Sequence, residues 1–191
     1  RKSQEPSQEQ IKSLFILYDQ KKLQYVYREA QKLTKLYPKN LALWNLMGAS
    51  AAQIGQLDEA ILAFEKAVSI KPDYVEAYIN LGNVFQEKGN LEEALTSFEK
   101  ALSIKPDYAE AYYNLGNALN QAGKRYEAIQ AYNKALSIKP DYLEVYYNMG
   151  IVLTGIVFTT PSRSFQTTIK SLLNKKSYIR PIDIARAAIS L

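Results

Sequence analysis

Asn80, Asn114 and Asn148 stand 34 residues apart, and Asn83 and Asn117 repeat the same interval. A carboxamide can donate and accept at once. Amides stacked at a constant interval could therefore grip the main chain of an extended peptide without reading its side chains. Asn120 follows Asn117 at helical spacing and could join them. Tyr113 and Tyr147 directly precede Asn114 and Asn148, and could serve as rigid aromatic anchors for a partner. A second account stays open for both sets. The amides could be scaffold that joins neighbouring helices. With 15 tyrosines in the chain, most must be packing.

Other chemistry is harder to build. The chain has no histidine and no cysteine. That removes Ser-His and Cys-His nucleophile pairs, disulfides and most zinc sites. Acidic pairs such as Asp58-Glu59 and Glu92-Glu93 suggest acid–base chemistry at first sight. They recur with a sequence repeat, as an active site would not, and they suit helix starts, where a carboxylate meets the positive end of the helix dipole. No glycine-rich phosphate loop is present. No catalytic residue, metal or cofactor is expected within these 191 residues. The basic pairs Lys21-Lys22 and Lys175-Lys176 are too sparse for a nucleic-acid surface. No apolar run approaches the roughly 18 residues of a membrane span. The lack of cysteine fits a reducing, cytoplasmic setting.

The elements that must position the amides follow from internal repetition. Residues 71–104 and 105–138 share 19 identities in 34 positions. Apolar residues recur at helical spacing, as in Tyr78-Leu81-Gly82-Phe85 and Ala94-Phe98-Ala101. Gly48, Gly82, Gly116 and Gly150 fall inside the first helix of each unit. Glycine costs stability there, so close approach of two helices is expected. Gly55, Gly89 and Gly123 sit where a left-handed cap would end that helix. Pro72, Pro106 and Pro140 stop the second helix. The unit is helix–turn–helix–turn, and the asparagines lie on its first helix.

The stretch WNLMGASAAQIGQLDEAILAFEKAVSIKP resembles the tetratricopeptide repeat (TPR) pattern Trp-x-x-Leu-Gly-x-x-Tyr … Ala-x-x-x-Phe … Pro, with Met47 for Leu and Ala51 for Tyr. The resemblance implies an all-α, right-handed superhelix over 7–154. It has a degenerate repeat at 7–40, full repeats at 41–74, 75–108 and 109–142, and a half repeat at 143–154. It also implies a concave groove, lined by the first helices, that binds a protein or peptide. The phrase AYINLGNVF is similar to the TPR region of O-linked N-acetylglucosamine transferases, whose inner asparagines hold substrate peptides. Cochaperone TPRs that clamp a C-terminal carboxylate use groove lysines. Here those positions hold Ile79, Tyr113 and Tyr147. Self-association through solenoid ends remains a structural alternative.

Residues 155–191 break the pattern. They carry six Lys/Arg against Asp183 alone, whereas residues 1–154 carry 18 of each sign. Two further helices are expected, one from Ser162 or Ser164 to about Lys176 and one opening at Pro181. They either cap the solenoid or begin a following domain. The segment SYIRPIDIARAAISL resembles the stretch after TPRs in some bacterial proteins with a C-terminal methyltransferase-type domain. The chain opens without Met and stops in what reads as an unfinished helix, so a longer parent is expected. Substrate recruitment for a larger methyl- or glycosyltransferase is the resulting alternative function.

Overall fold

A computed structural model describes residues 5–154 of the chain. The two helices expected after Gly155 lie outside the described residues. The chain divides into two compact units, Arg1–Ile104 and Lys105–Leu191. Unit 1 contains α1 (Gln8–Asp19), α2 (Leu23–Leu36), α3 (Leu41–Gln53), α4 (Leu57–Ile70), α5 (Val75–Lys88) and α6 (Leu91–Ile104). Unit 2 contains α7 (Ala109–Gln121), α8 (Arg125–Ile138) and α9 (Leu143–Thr154). No strand occurs among the described residues.

Each turn follows from its residues. In α1, Ser7 Oγ accepts from the Gln10 amide and Gln10 Oε1 accepts from the Ser7 amide, a complete capping box. At the end of α5, Gly89 adopts φ +85°, a left-handed conformation that side chains disfavour. In the degenerate first repeat the same column holds Lys21, which is forced to φ +59°. That costs roughly 1–2 kcal/mol relative to glycine's freedom. The second helices stop at Ile70, Ile104 and Ile138, two residues before each proline.

The repeated KPDY turn has its own packing. Lys71 lies over the Tyr74 ring at 5.7 Å, Lys105 over Tyr108 at 4.3 Å and Lys139 over Tyr142 at 4.5 Å. In the first and last members of the aromatic column that follows, the ring is tied back to the preceding proline. Trp44 Nε1 donates to the Pro38 carbonyl at 2.8 Å, and the Tyr146 hydroxyl donates to the Pro140 carbonyl at 3.1 Å. Tyr146 thus buries its ring and satisfies its polar edge, and the half-buried Trp44 satisfies its own.

The core of each unit lies between first and second helices. Phe64 and Phe98 are fully buried in unit 1, and Tyr132 is in unit 2. Each ring rests on the glycine of its preceding helix. A Cβ on Gly48 would stand 2.8 Å from Phe64 Cε1, and one on Gly82 would stand 2.6 Å from Phe98 Cε1. Gly116 meets the Tyr132 ring in the same way. These are rigid, buried rings that cannot swing aside. Gly82→Ala is therefore expected to destabilise the chain by about 1–2 kcal/mol, because overpacking exceeds alanine's better helix propensity. A urea denaturation midpoint shifted downward would show it; an upward shift would mean the ring relocates freely.

Candidate functional site

The sequence-proposed residues occupy two different environments. In unit 1, Asn80 and Asn83 lie one turn apart on α5 and line a hollow of about 200 Å³. Its floor is apolar, made by Ala49 and Ala52 of α3, Phe64 of α4 and Val84 of α5. Its rim is polar, with Gln53, Glu87 and Tyr18. Gln53 is held at both ends: its Nε2 donates to the Tyr18 hydroxyl, and its Oε1 accepts from Lys21 Nζ at 3.3 Å. Burial pushes the Tyr18 hydroxyl above its ordinary pKa, helped by the neighbouring Asp19 charge. Neither Asn80 nor Asn83 has a side-chain hydrogen bond to any described residue. Asn80 is half-buried and Asn83 exposed. The column above Asn80 holds Leu46, which is buried in the core. Asn80 and Asn83 are therefore two amides of unit 1 with no side-chain partner among the described residues.

In unit 2 two of the amides, Asn117 and Asn148, are already engaged. The Tyr132 hydroxyl donates to Asn117 Oδ1 at 2.7 Å. Asn148 Nδ2 donates to the same Asn117 oxygen at 2.9 Å and to the Tyr113 hydroxyl at 3.1 Å. Both lone pairs of Asn117 Oδ1 and both protons of Asn148 Nδ2 are thereby used. The link runs from Asn148 to Asn117, a turn beyond Asn114, so the rungs are staggered. Asn114 is half-buried and has no hydrogen-bond partner among the described residues. The Tyr113 ring lies 6.3 Å from Tyr132 and 5.2 Å from Tyr142. Tyr147 stands apart from this cluster and is 51% exposed.

One oxygen separates the two environments. Phe98 and Tyr132 occupy the same repeat column, fifteen residues after Asn83 and Asn117 respectively. Phenylalanine leaves Asn83 alone. Tyrosine reaches from the core to hold Asn117. Sequence reading placed Phe98 and Tyr132 in one apolar column, and missed that a buried phenol must find a partner. Gln53, Tyr18 and Glu87 were missed too, because only folding gathers four helices around the hollow. The acidic pairs sit in the first turns of α4 and α6, as their helix-start role requires. Asp58 takes the ammonium of Lys88.

A family model described as TPR repeat matches residues 48–89, 82–123 and 116–154, more than half of the chain. The chain belongs to the tetratricopeptide repeat family. Tetratricopeptide repeat protein 37 of Xenopus laevis is 34% identical over 62 residues, 32% of this chain and 4% of that protein. The peroxisomal targeting signal receptor of Candida albicans is 44% identical over 45 residues, 24% of this chain and 8% of the receptor. The matched stretch is thus a small fraction of either relative. Among solved structures, the crystal structure of MamA superposes with a TM-score of 0.71 at 23% identity over 91% of each chain. YrrB, described as a TPR protein with an unusual peptide-binding site, superposes with a TM-score of 0.72 at 17% identity over 98% of this chain and 94% of its own. At these identities the likeness establishes the TPR fold and nothing finer. Among the described residues no helix is long and apolar enough to cross a membrane.

Two outcomes test the unit 2 network. Tyr132→Phe should cost about 0.5–1.5 kcal/mol of unfolding free energy by removing one net hydrogen bond, read by urea titration; an unchanged midpoint would mean the bond contributes nothing. Stability should also fall at high pH. Burial, then the charge of Glu110, raises the Tyr142 hydroxyl from 10.0 to about 12. The folded state then holds this proton more tightly than the unfolded chain, so the contribution is complete below pH 10.0 and is lost as pH rises toward about 12. Tyr142→Phe should flatten the decline in Tm across that window, and an equally steep decline would count against it.

Proposed function

We propose that this chain is a non-catalytic protein-interaction module that holds an extended peptide segment against the unit 1 hollow. Asn80 and Asn83 serve as the main-chain contacts. The observation that carries the reading is the contrast between the units. Asn117 and Asn148 satisfy each other and two tyrosines. Asn80 and Asn83 face a hollow with no internal partner among the described residues. A free amide beside an apolar floor suits a peptide, whose backbone supplies a donor and an acceptor at every residue. The names of similar proteins, a targeting signal receptor and a TPR protein with a peptide-binding site, support the class of partner.

In this reading Tyr113, Asn117 and Asn148 form a rigid internal brace, and Tyr147 with Asn114 supplies the available surface of unit 2. The alternative of a substrate-recruiting arm for a transferase, with the likeness to glycosyltransferase TPRs behind it, uses the same peptide-holding step. It places the chemistry outside these residues.

Peptides selected from a degenerate library on the full chain provide the test. Asn80→Ala with Asn83→Ala should weaken the selected peptides about ten- to a hundredfold, the value of two lost hydrogen bonds. Asn117→Ala with Asn148→Ala should lower Tm and leave affinity nearly intact. Phe98→Tyr, which sets a hydroxyl in the Tyr132 column, should weaken binding by occupying Asn83. Undiminished affinity in the Asn80/Asn83 variant would sink the reading. Concentration-dependent mass in light scattering, with no peptide selected, would favour self-association instead.

A further inference from the structure

The unit 1 hollow is richer in unused acceptors than in unused donors. Glu87 lines it on α5, one turn beyond Asn83, and is exposed. Its carboxylate has no ion pair or hydrogen bond among the described residues. The adjacent Lys88 does not neutralise it, because that ammonium is bound to Asp58 of α4.

Charge points the same way. α3 carries no lysine or arginine, and the single lysine of α5 is the paired Lys88. Asp19 closes α1 beside Tyr18 and adds a second carboxylate near the rim. The cation nearby is Lys21, whose ammonium is bound to Gln53 Oε1. Glu87 is thus a carboxylate lining the hollow with no cation bound to it among the described residues. The floor of alanines, Val84 and the Phe64 ring leaves about 200 Å³, room for one or two side chains rather than a folded partner.

We infer that the hollow selects an extended peptide bearing a lysine or arginine, whose cation pairs with Glu87 while a neighbouring small apolar residue covers the alanine floor. The inference rests on the reading of this hollow as the peptide site and adds the charge class of its ligand. A carboxylate-rich peptide would meet Glu87 with like charge and find no lysine or arginine among the residues that line the hollow.

The test uses the full chain, immobilised, and an amidated nine-residue peptide library, degenerate at each position. Retained peptides are sequenced at about 50 mM and about 500 mM salt. At low salt, Lys and Arg should exceed Asp and Glu by at least about threefold at one position, as an exposed or half-exposed ion pair allows. The excess should shrink at high salt through screening. Glu87→Gln should remove the excess, and Glu87→Lys should reverse it toward acidic peptides, with Tm unchanged because Glu87 holds no structural contact. Retention without a basic preference, or a preference that survives Glu87→Lys, overturns the inference and leaves the peptide-site reading standing. A library retained no better than on bare resin overturns both. Asn80→Ala with Asn83→Ala should lower total retention while keeping the charge preference, which separates the two claims.

Discussion

A missing Cβ sets the geometry of three helix pairs, α3–α4, α5–α6 and α7–α8. Gly48, Gly82 and Gly116 let the rings of Phe64, Phe98 and Tyr132 rest directly on the backbone of the preceding helix. A helix pair cannot bury its apolar face alone, and neighbours must complete the core. The ring is the largest buried group at each step, so its seat decides how closely the two helices approach. Alanines at Ala60, Ala94 and Ala128 complete the close approach and are fully buried. The internal glycine costs helix propensity of about 1 kcal/mol. Burial of an aromatic side chain, about 1.5–3 kcal/mol, outweighs it.

The same ring links the core to the exposed surface. Where the column holds Phe98, the core ends at the ring edge and Asn83 is unclaimed among the described residues. Where it holds tyrosine, the hydroxyl must find a partner, and it takes Asn117. The resulting network with Asn148 and Tyr113 joins α7, α8 and α9 within unit 2. One buried atom thus binds one amide of a repeated column and leaves its counterpart without a partner among the described residues. Electrostatics follow a similar division. The second helices and turns hold most of the basic residues, whereas α3, α7 and α9 have none.

Much was legible in the sequence because it depends on local rules. The period of 34 residues, the helix–turn–helix unit, and the glycine and proline boundaries each rest on one residue's backbone preference, and the helices of the repeats end where those residues sit. The asparagine columns were also visible, since a repeat of fixed length puts equal positions on equal faces.

What only the tertiary structure decided is which amides are free. Asn83 and Asn117 are the same letter in the same column, and their difference comes from Phe98 and Tyr132 packed on the next helix. The hollow beside Asn83 likewise takes residues from α1, α3, α4 and α5, spread over some 70 positions of sequence. Backbone conformation is a short-range property, set by neighbours along the chain. Hydrogen-bond satisfaction is a property of whatever folding brings within about 3 Å, and so it could not be read from spacing alone.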